Sequence, residues 1–197
     1  LVDWNGLMIR ALARASIVFD RPEWLAAAES AFRFVDRAAR EESGRLAHAW
    51  RGRVSATGQL DDYAAFALAA VSLFEATGER DYLGKAIAVA REAIDLFGDD
   101  DGSLFITAKG AADVPVARPR HARDNATPSG AGLMAEAFAR LYHLTGEADW
   151  RERCEKLIRA FSGAGAALAL SPTLLAAADM LERAAVVVVA GDNGADA

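Results

Sequence analysis

Three segments of this chain carry almost no charge, and each is followed, across a short turn, by a charged segment with an aromatic residue near its start. Asn5 to Phe19 holds only Arg10 and Arg14, Tyr63 to Phe74 holds no charge, and Ser129 to Leu144 holds only Glu136 and Arg140. A helix that is apolar around most of its girth must be buried on most sides. The partner segments, Arg21 to Arg40, Glu79 to Phe97 and Glu147 to Phe161, are different. In the second of them Tyr82, Ala86, Ala90, Ala93 and Phe97 recur at helical spacing between charged residues, which makes one buried stripe. Inner and outer helices therefore alternate. A helical hairpin repeated along a chain is the signature of a stacked or ring-shaped array. Three inner–outer pairs make about half of an (α/α)6 toroid, an all-α fold. An open solenoid is the alternative, and the apolarity of the inner helices favours the ring.

Local chemistry marks the boundaries. Gly78 and Gly146 suit the left-handed conformation that ends a helix. Asp20, followed by Pro22 and Glu23, has the composition of a capped helix start. Pro128 is expected in the first turn of the third inner helix, where a missing N–H costs nothing. The longer links, residues 44–58 and 102–119, alternate loosely between glycines and read as irregular β-hairpins. A seventh helix is expected from Ser171-Pro172 to about Arg183, and the β-branched run 186–189 reads as a strand. Residues 1–190 form one partial domain by this reading, with 191–197 a mobile tail.

The totals narrow the function classes. A net charge of -6 argues against a nucleic-acid partner, which needs a concentrated basic face. No apolar run approaches membrane-spanning length, so no membrane association is expected. The single Cys154 excludes an intrachain disulfide and any multi-cysteine metal site, and suggests a reducing, cytoplasmic setting. His48, His121 and His143 show no metal-ligand spacing, so neither a metal nor a cofactor is expected. The chain opens at Leu1 directly on a polar box and an apolar helix, which reads as a piece of a longer protein.

A short polar box precedes each inner helix: Asp3-Trp4-Asn5-Gly6, Leu60-Asp61-Asp62-Tyr63 and Asn125-Ala126-Thr127-Pro128-Ser129-Gly130. In a ring these boxes gather at one end, beside unpaired helix N–H groups. Asp61 and Asp62 are adjacent and point in different directions: either one caps the helix while the other salt-links a neighbour, or one faces a cavity as a general acid or base or as a hydroxyl-binding group. Asp124 is the candidate opposing carboxylate. Two carboxyls facing across a sugar would suit glycoside hydrolysis. Sugar epimerisation would need a base pair near the cavity mouth, and the sequence displays none. Asp3, Asn5, Asn125, Thr127 and Ser129 are candidate hydroxyl-binding groups, although each also suits a helix cap. Trp4, Trp50 and Tyr63 are candidate stacking faces for a ring with apolar sides, and Arg51 a candidate anchor for an anionic group.

These boxes carry a resemblance. Asp3 to Ile9, Leu60 to Ala64, Leu104-Phe105 with Thr107, and Asp124 to Gly130 occur in the order found in the C-terminal half of the thioredoxin-domain proteins of the spermatogenesis-associated type, including bacterial relatives of the YyaL kind. The Thr-Gly-x-x-x-aromatic turns match as well, and the resemblance covers nearly the whole chain. It implies an (α/α)6 domain similar to N-acylglucosamine 2-epimerase and related glycosidases, beside a thioredoxin-like domain that this chain lacks. One departure stands out: the family commonly continues Pro-Ser-Gly with an asparagine, where this chain has Ala131-Gly132. Two function classes follow. One is a carbohydrate-processing or carbohydrate-binding toroid with a sugar-like ligand. The other is a non-catalytic scaffold beside a redox domain. Half a ring also exposes the flanks of apolar inner helices, so self-association is expected.

Overall fold

The computed structural model describes residues 1–111, 117–163 and 165–187. Among these residues seven α-helices follow one another: α1 (Val2–Val18), α2 (Pro22–Ala38), α3 (Leu60–Thr77), α4 (Arg80–Phe97), α5 (Gly130–Thr145), α6 (Ala148–Ser162) and α7 (Pro172–Arg183). A short hairpin of β1 (Ala47–Trp50) and β2 (Val54–Thr57) joins α2 to α3, and a 3-10 turn (Gly165–Leu170) leads into α7. The packing order is that of a ring segment. α1 lies against α3, α3 against α5, and α5 against α7, while α2, α4 and α6 each back onto the inner helix before them. The architecture is about half of an (α/α)6 toroid, with α7 in the fourth inner position.

Burial follows the charge pattern. Every residue of α3 from Tyr63 to Leu73 is buried, because it has neighbours on both flanks and behind. Outer helix α4 buries only Tyr82, Ala86, Val89, Ala90, Ala93, Leu96 and Phe97. Four charges on the inner helices pair with one another. Arg10 of α1 donates to Glu136 of α5 (2.8 Å), Glu136 also accepts from Arg140 (2.9 Å), and Arg140 reaches Glu75 of α3 (2.8 Å). Removing one partner would leave a poorly hydrated charge, so this network ties three inner helices together.

Glycine sets the spacing of the inner layer. A Cβ on Gly6 would sit 2.7 Å from the carbonyl carbon of Ala65 in α3. Only a residue without a side chain lets the two backbones approach this closely.

Several boundaries differ from expectation. Gly78 and Gly146 do close α3 and α5 in the left-handed conformation, both at φ 72°. Asp20 does not start α2. It adopts φ 51° just beyond the end of α1, and α2 begins at Pro22 with Arg21 in the cap position. Pro128 lies before the cap of α5, which is Ser129. The 44–58 link is the expected hairpin, with irregular register. In the 102–119 link no second strand pair is formed among the described residues: Leu104 bridges to Gly98, and the Ile106 N–H donates to the Pro119 carbonyl (2.9 Å); residues 112–116 lie outside the described residues. Side-chain chemistry explains this. The Arg118 guanidinium stacks on Phe105 and donates to the Leu96 carbonyl at the end of α4 and to the Thr107 carbonyl, so one acceptor of the first arm is taken by a side chain. Val186 and Val187 are exposed and form no strand; 188–189 and the 191–197 tail lie outside the described residues.

Candidate functional site

Contacts between box residues run from one inner helix to the next at their N-terminal ends. The Asp3 N–H donates to Asp62 Oδ1 (3.0 Å), joining α1 to α3. Asp61 lies against the backbone of Gly130, joining α3 to α5. Asp124 takes the N–H of Ser129 through Oδ1 and of Thr173 through Oδ2, both at 2.8 Å, joining the start of α5 to α7. All four inner helices therefore present their N-termini on the same face, where their dipoles favour negative charge.

Asp62 is the centre of this face. Its side chain is fully buried at the third position of α3. Oδ2 accepts the Gln59 N–H (2.8 Å), and the Asp62 N–H returns to the Gln59 side chain, which makes a capping box. Both oxygens also lie 3.0 Å from His48 Nδ1. Burial pushes the Asp62 carboxyl up to about 6, against the opposing pull of the Gln59 N–H and His48. His48 stands on β1 with 31% of its side chain exposed. One ring nitrogen is thus held by a buried carboxylate while part of the ring meets solvent. This arrangement fixes the tautomer and orientation of an imidazole that can accept or release a proton at Nε2.

Asp61 points the other way, as adjacency at a helix start requires. Burial raises its carboxyl above the usual range, the Gly130 N–H opposes this, and the charge of Asp3 adds to it. Asp3 is half-buried, and its Oδ1 is buried without a hydrogen-bond partner among the described residues.

Other candidates are placed elsewhere or already engaged. Tyr63 is in the core, not on the end face. Its ring meets Phe97, and its hydroxyl accepts from the Leu46 N–H and donates to Glu92. Ser129 is a buried cap whose Oγ accepts the Gly132 N–H and donates to Ala122. Although burial alone would raise the Asp124 carboxyl, the N–H groups of Ser129 and Thr173 hold it below the usual range, as befits a structural acceptor. Asn5 is exposed and donates back to the Leu1 carbonyl. Trp4 is exposed on α1, and Trp50 leans edge-on against Phe34 of outer helix α2. Arg51 and Asn125 are exposed, and Thr127 is half-buried. The structure thus gathers Asp3, Asp61 and Asp62, and adds His48, which the sequence reading passed over among three scattered histidines. The available signal was the hairpin itself, since a strand that turns back into α3 must lie beside the start of α3.

A separate cleft lies between the 98–104 loop and α6, lined by Asp99, Asp100, Arg153 and Lys156, away from the boxes. Cys154 is buried and donates its S–H to the Ala135 carbonyl (3.2 Å), and burial pushes its thiol up to about 12. Among the described residues no helix is long and apolar enough to cross a membrane.

Comparison with known proteins places this geometry. No protein-family model matches the chain. Spermatogenesis-associated protein 20 of Mus musculus is 30% identical over 82% of the chain and 22% of its own length. The Homo sapiens protein of that name is 29% identical with the same coverage, and an uncharacterized protein of Caenorhabditis elegans is 27% identical over 82% of the chain and 23% of its own. The chain therefore spans under a quarter of the length of these relatives. Among solved structures, a GH76 alpha-mannanase of Bacteroides thetaiotaomicron superposes with a TM-score of 0.67 at 20% identity, over 83% of this chain and 44% of that one. A cellobiose 2-epimerase of Spirochaeta thermophila gives 0.60 at 19% identity (81% and 42%), and a D-mannose isomerase gives 0.65 at 14% (80% and 40%). Each covers less than half of the solved chain, as half a ring should.

Proposed function

With the chain placed among the relatives of spermatogenesis-associated protein 20 and on the (α/α)6 toroid fold, we propose that it forms one side of a carbohydrate site in which His48, held on Asp62, transfers a proton to or from a sugar. The observation that carries this reading is the His48–Asp62 pair: Nδ1 3.0 Å from both oxygens of a fully buried carboxylate, with the ring partly open to solvent. The solved neighbours that share the fold include an epimerase and an isomerase as well as mannanases, so sugar chemistry on this scaffold is well precedented.

The geometry favours proton transfer of the epimerase or isomerase kind over two-carboxylate hydrolysis. Hydrolysis needs an acid and a base on opposite sides of a glycosidic bond. Here Asp124 is committed to two backbone N–H groups, and Asp62 is sealed behind His48. Asp61 remains as the group for a sugar hydroxyl. Trp4 and Arg51 stand exposed as candidate walls. A cytoplasmic setting belongs to the same proposal and fits a chain whose one cysteine is a buried thiol.

A thermal-shift screen of the full-length protein against neutral, amino and acidic sugars tests the reading. One sugar class should raise the Tm, and Asp61→Ala and His48→Ala should each lose that rise while keeping the fold by circular dichroism. Absence of a shift with every class would contradict it.

A second reading rests on α1. Trp4, Met8 and Val18 are exposed on one side of α1, with Leu1 just before it, which makes an apolar stripe that no partner covers among the described residues. It supports an interaction role, as a scaffold or through self-association about a two-fold axis. Light scattering at micromolar concentration should give twice the chain mass, and Met8→Glu should return it to the monomer value. A monomeric wild-type chain would contradict self-association.

A further inference from the structure

We infer that Asp3, His48 and Asp62 together form a site for a divalent transition-metal cation of the zinc class. The sequence gives no warning of it, since positions 3, 48 and 62 come from α1, β1 and α3 and share no motif spacing. The fold brings one donor atom from each within 4.8 Å of the others. Two carboxylates and one imidazole are an N/O donor set that suits zinc, manganese or iron(II) better than calcium or magnesium.

Two features beyond proximity point to a cation. The first is the buried Asp3 Oδ1, which meets no donor among the described residues. A buried carboxylate oxygen without a partner is costly, and a cation between the three side chains would complete its shell. The second is the way Asp62 is held. The N–H groups of Asp3 and Gln59 each take one of its oxygens and fix the carboxylate in place. Its remaining lone pairs face His48. This is the supporting shell that orients a metal-binding carboxylate. The charges also balance, with two carboxylates and a neutral imidazole offsetting a dication. His48 is partly exposed on a two-stranded hairpin, so its ring can withdraw to admit the ion.

The consequence rests on the proton-transfer reading of the same residues. A cation on Nδ1 turns His48 into a ligand whose Nε2 carries its proton and no longer acts as a base. Zinc should therefore inhibit proton transfer, and a chelator should restore it. The binding itself stands on geometry and is read separately.

The experiment is a titration of chelator-treated full-length protein with zinc chloride, followed by calorimetry and by competition with a chromophoric chelator. Wild type should bind one equivalent at this site. His48→Ala and Asp3→Asn should each weaken that binding at least tenfold, while His143→Ala, on the far side of α5, should leave it unchanged. Circular dichroism and Tm confirm that each variant is folded. Cobalt(II) gives a second readout: its visible spectrum should show a nitrogen ligand that is lost in His48→Ala. Zinc bound equally by wild type and His48→Ala would overturn the inference, as would no binding at 100-micromolar zinc. Zinc binding in a protein with no sugar response would uphold the metal site and sink the proton-transfer reading; a sugar response without zinc binding would do the reverse.

Discussion

Replacing Gly6 by alanine tests the claim that the inner helices are spaced by their glycines. The added Cβ would lie 2.7 Å from the Ala65 carbonyl carbon, 2.8 Å from its oxygen and 2.9 Å from its Cβ. Carbon atoms normally rest about 3.5–4.0 Å apart, so α1 must move by about 0.7–1 Å at the crossing. Neither partner yields easily, because two of the three contacts are to helix backbone and Ala65 is itself buried. Overpacking of this kind costs about 1–3 kcal/mol. Alanine regains about 1 kcal/mol of helix propensity, and the net expectation is a loss of about 0–2 kcal/mol. Gly84 provides the control. It lies inside α4, and nothing stands within 4 Å of its would-be Cβ. Gly84→Ala should therefore gain about 0.8–1 kcal/mol. Urea denaturation of both variants at matched concentration reads the difference directly. For a chain of this size each kcal/mol moves the Tm by about 2–4 °C, so the two should separate. The same displacement would stretch the Asp3 N–H to Asp62 bond, now 3.0 Å, and weaken the end face. A Gly6→Ala protein as stable as Gly84→Ala would refute close packing of α1 on α3.

Other consequences follow from the same contacts. Asp124→Ala strands the N–H groups of Ser129 and Thr173, and should cost about 2–6 kcal/mol in denaturant unfolding, at about 1–3 kcal/mol for each backbone donor left unpaired. Cys154 should resist Ellman's reagent at pH 8 in the native protein and react fully in urea, since its thiol is buried and raised to about 12. Asp62 is raised from 3.8 to about 6, so between those values the native state holds a proton that the unfolded state has lost. Stability should therefore fall as pH rises from about 4 to 6, by on the order of 3 kcal/mol from this group. The Asp62→Asn variant should lack that slope.

The sequence disclosed some parts of this structure and concealed others, for physical reasons. The charge-free run of α3 forced a central, doubly flanked helix, and the structure buries it throughout. Gly78 and Gly146 marked helix ends because a left-handed residue without Cβ leaves few other uses in that context. The described part of the second link forms no strand because alternation reports one only when backbone acceptors are free, and Arg118 takes that of Thr107. Among the box residues, position on a helix start was legible, but direction was not. Asp61 and Asp62 part toward α5 and toward β1 according to packing angles that no spacing rule contains. Tyr63 shows the same limit, since one further step along α3 turns it from the end face into the core. His48 stayed hidden because its partner is 14 residues away and the pair exists only once the hairpin closes.

The central claim is that His48, oriented by Asp62, moves a proton on a sugar. Proton NMR of the full-length protein with aldohexoses in deuterium oxide tests it most directly. The account predicts solvent deuterium at the carbon next to the carbonyl of at least one sugar, abolished in His48→Ala and restored to no extent by added zinc. Exchange that persists undiminished in folded His48→Ala, or its absence with every sugar that binds wild type, would contradict it.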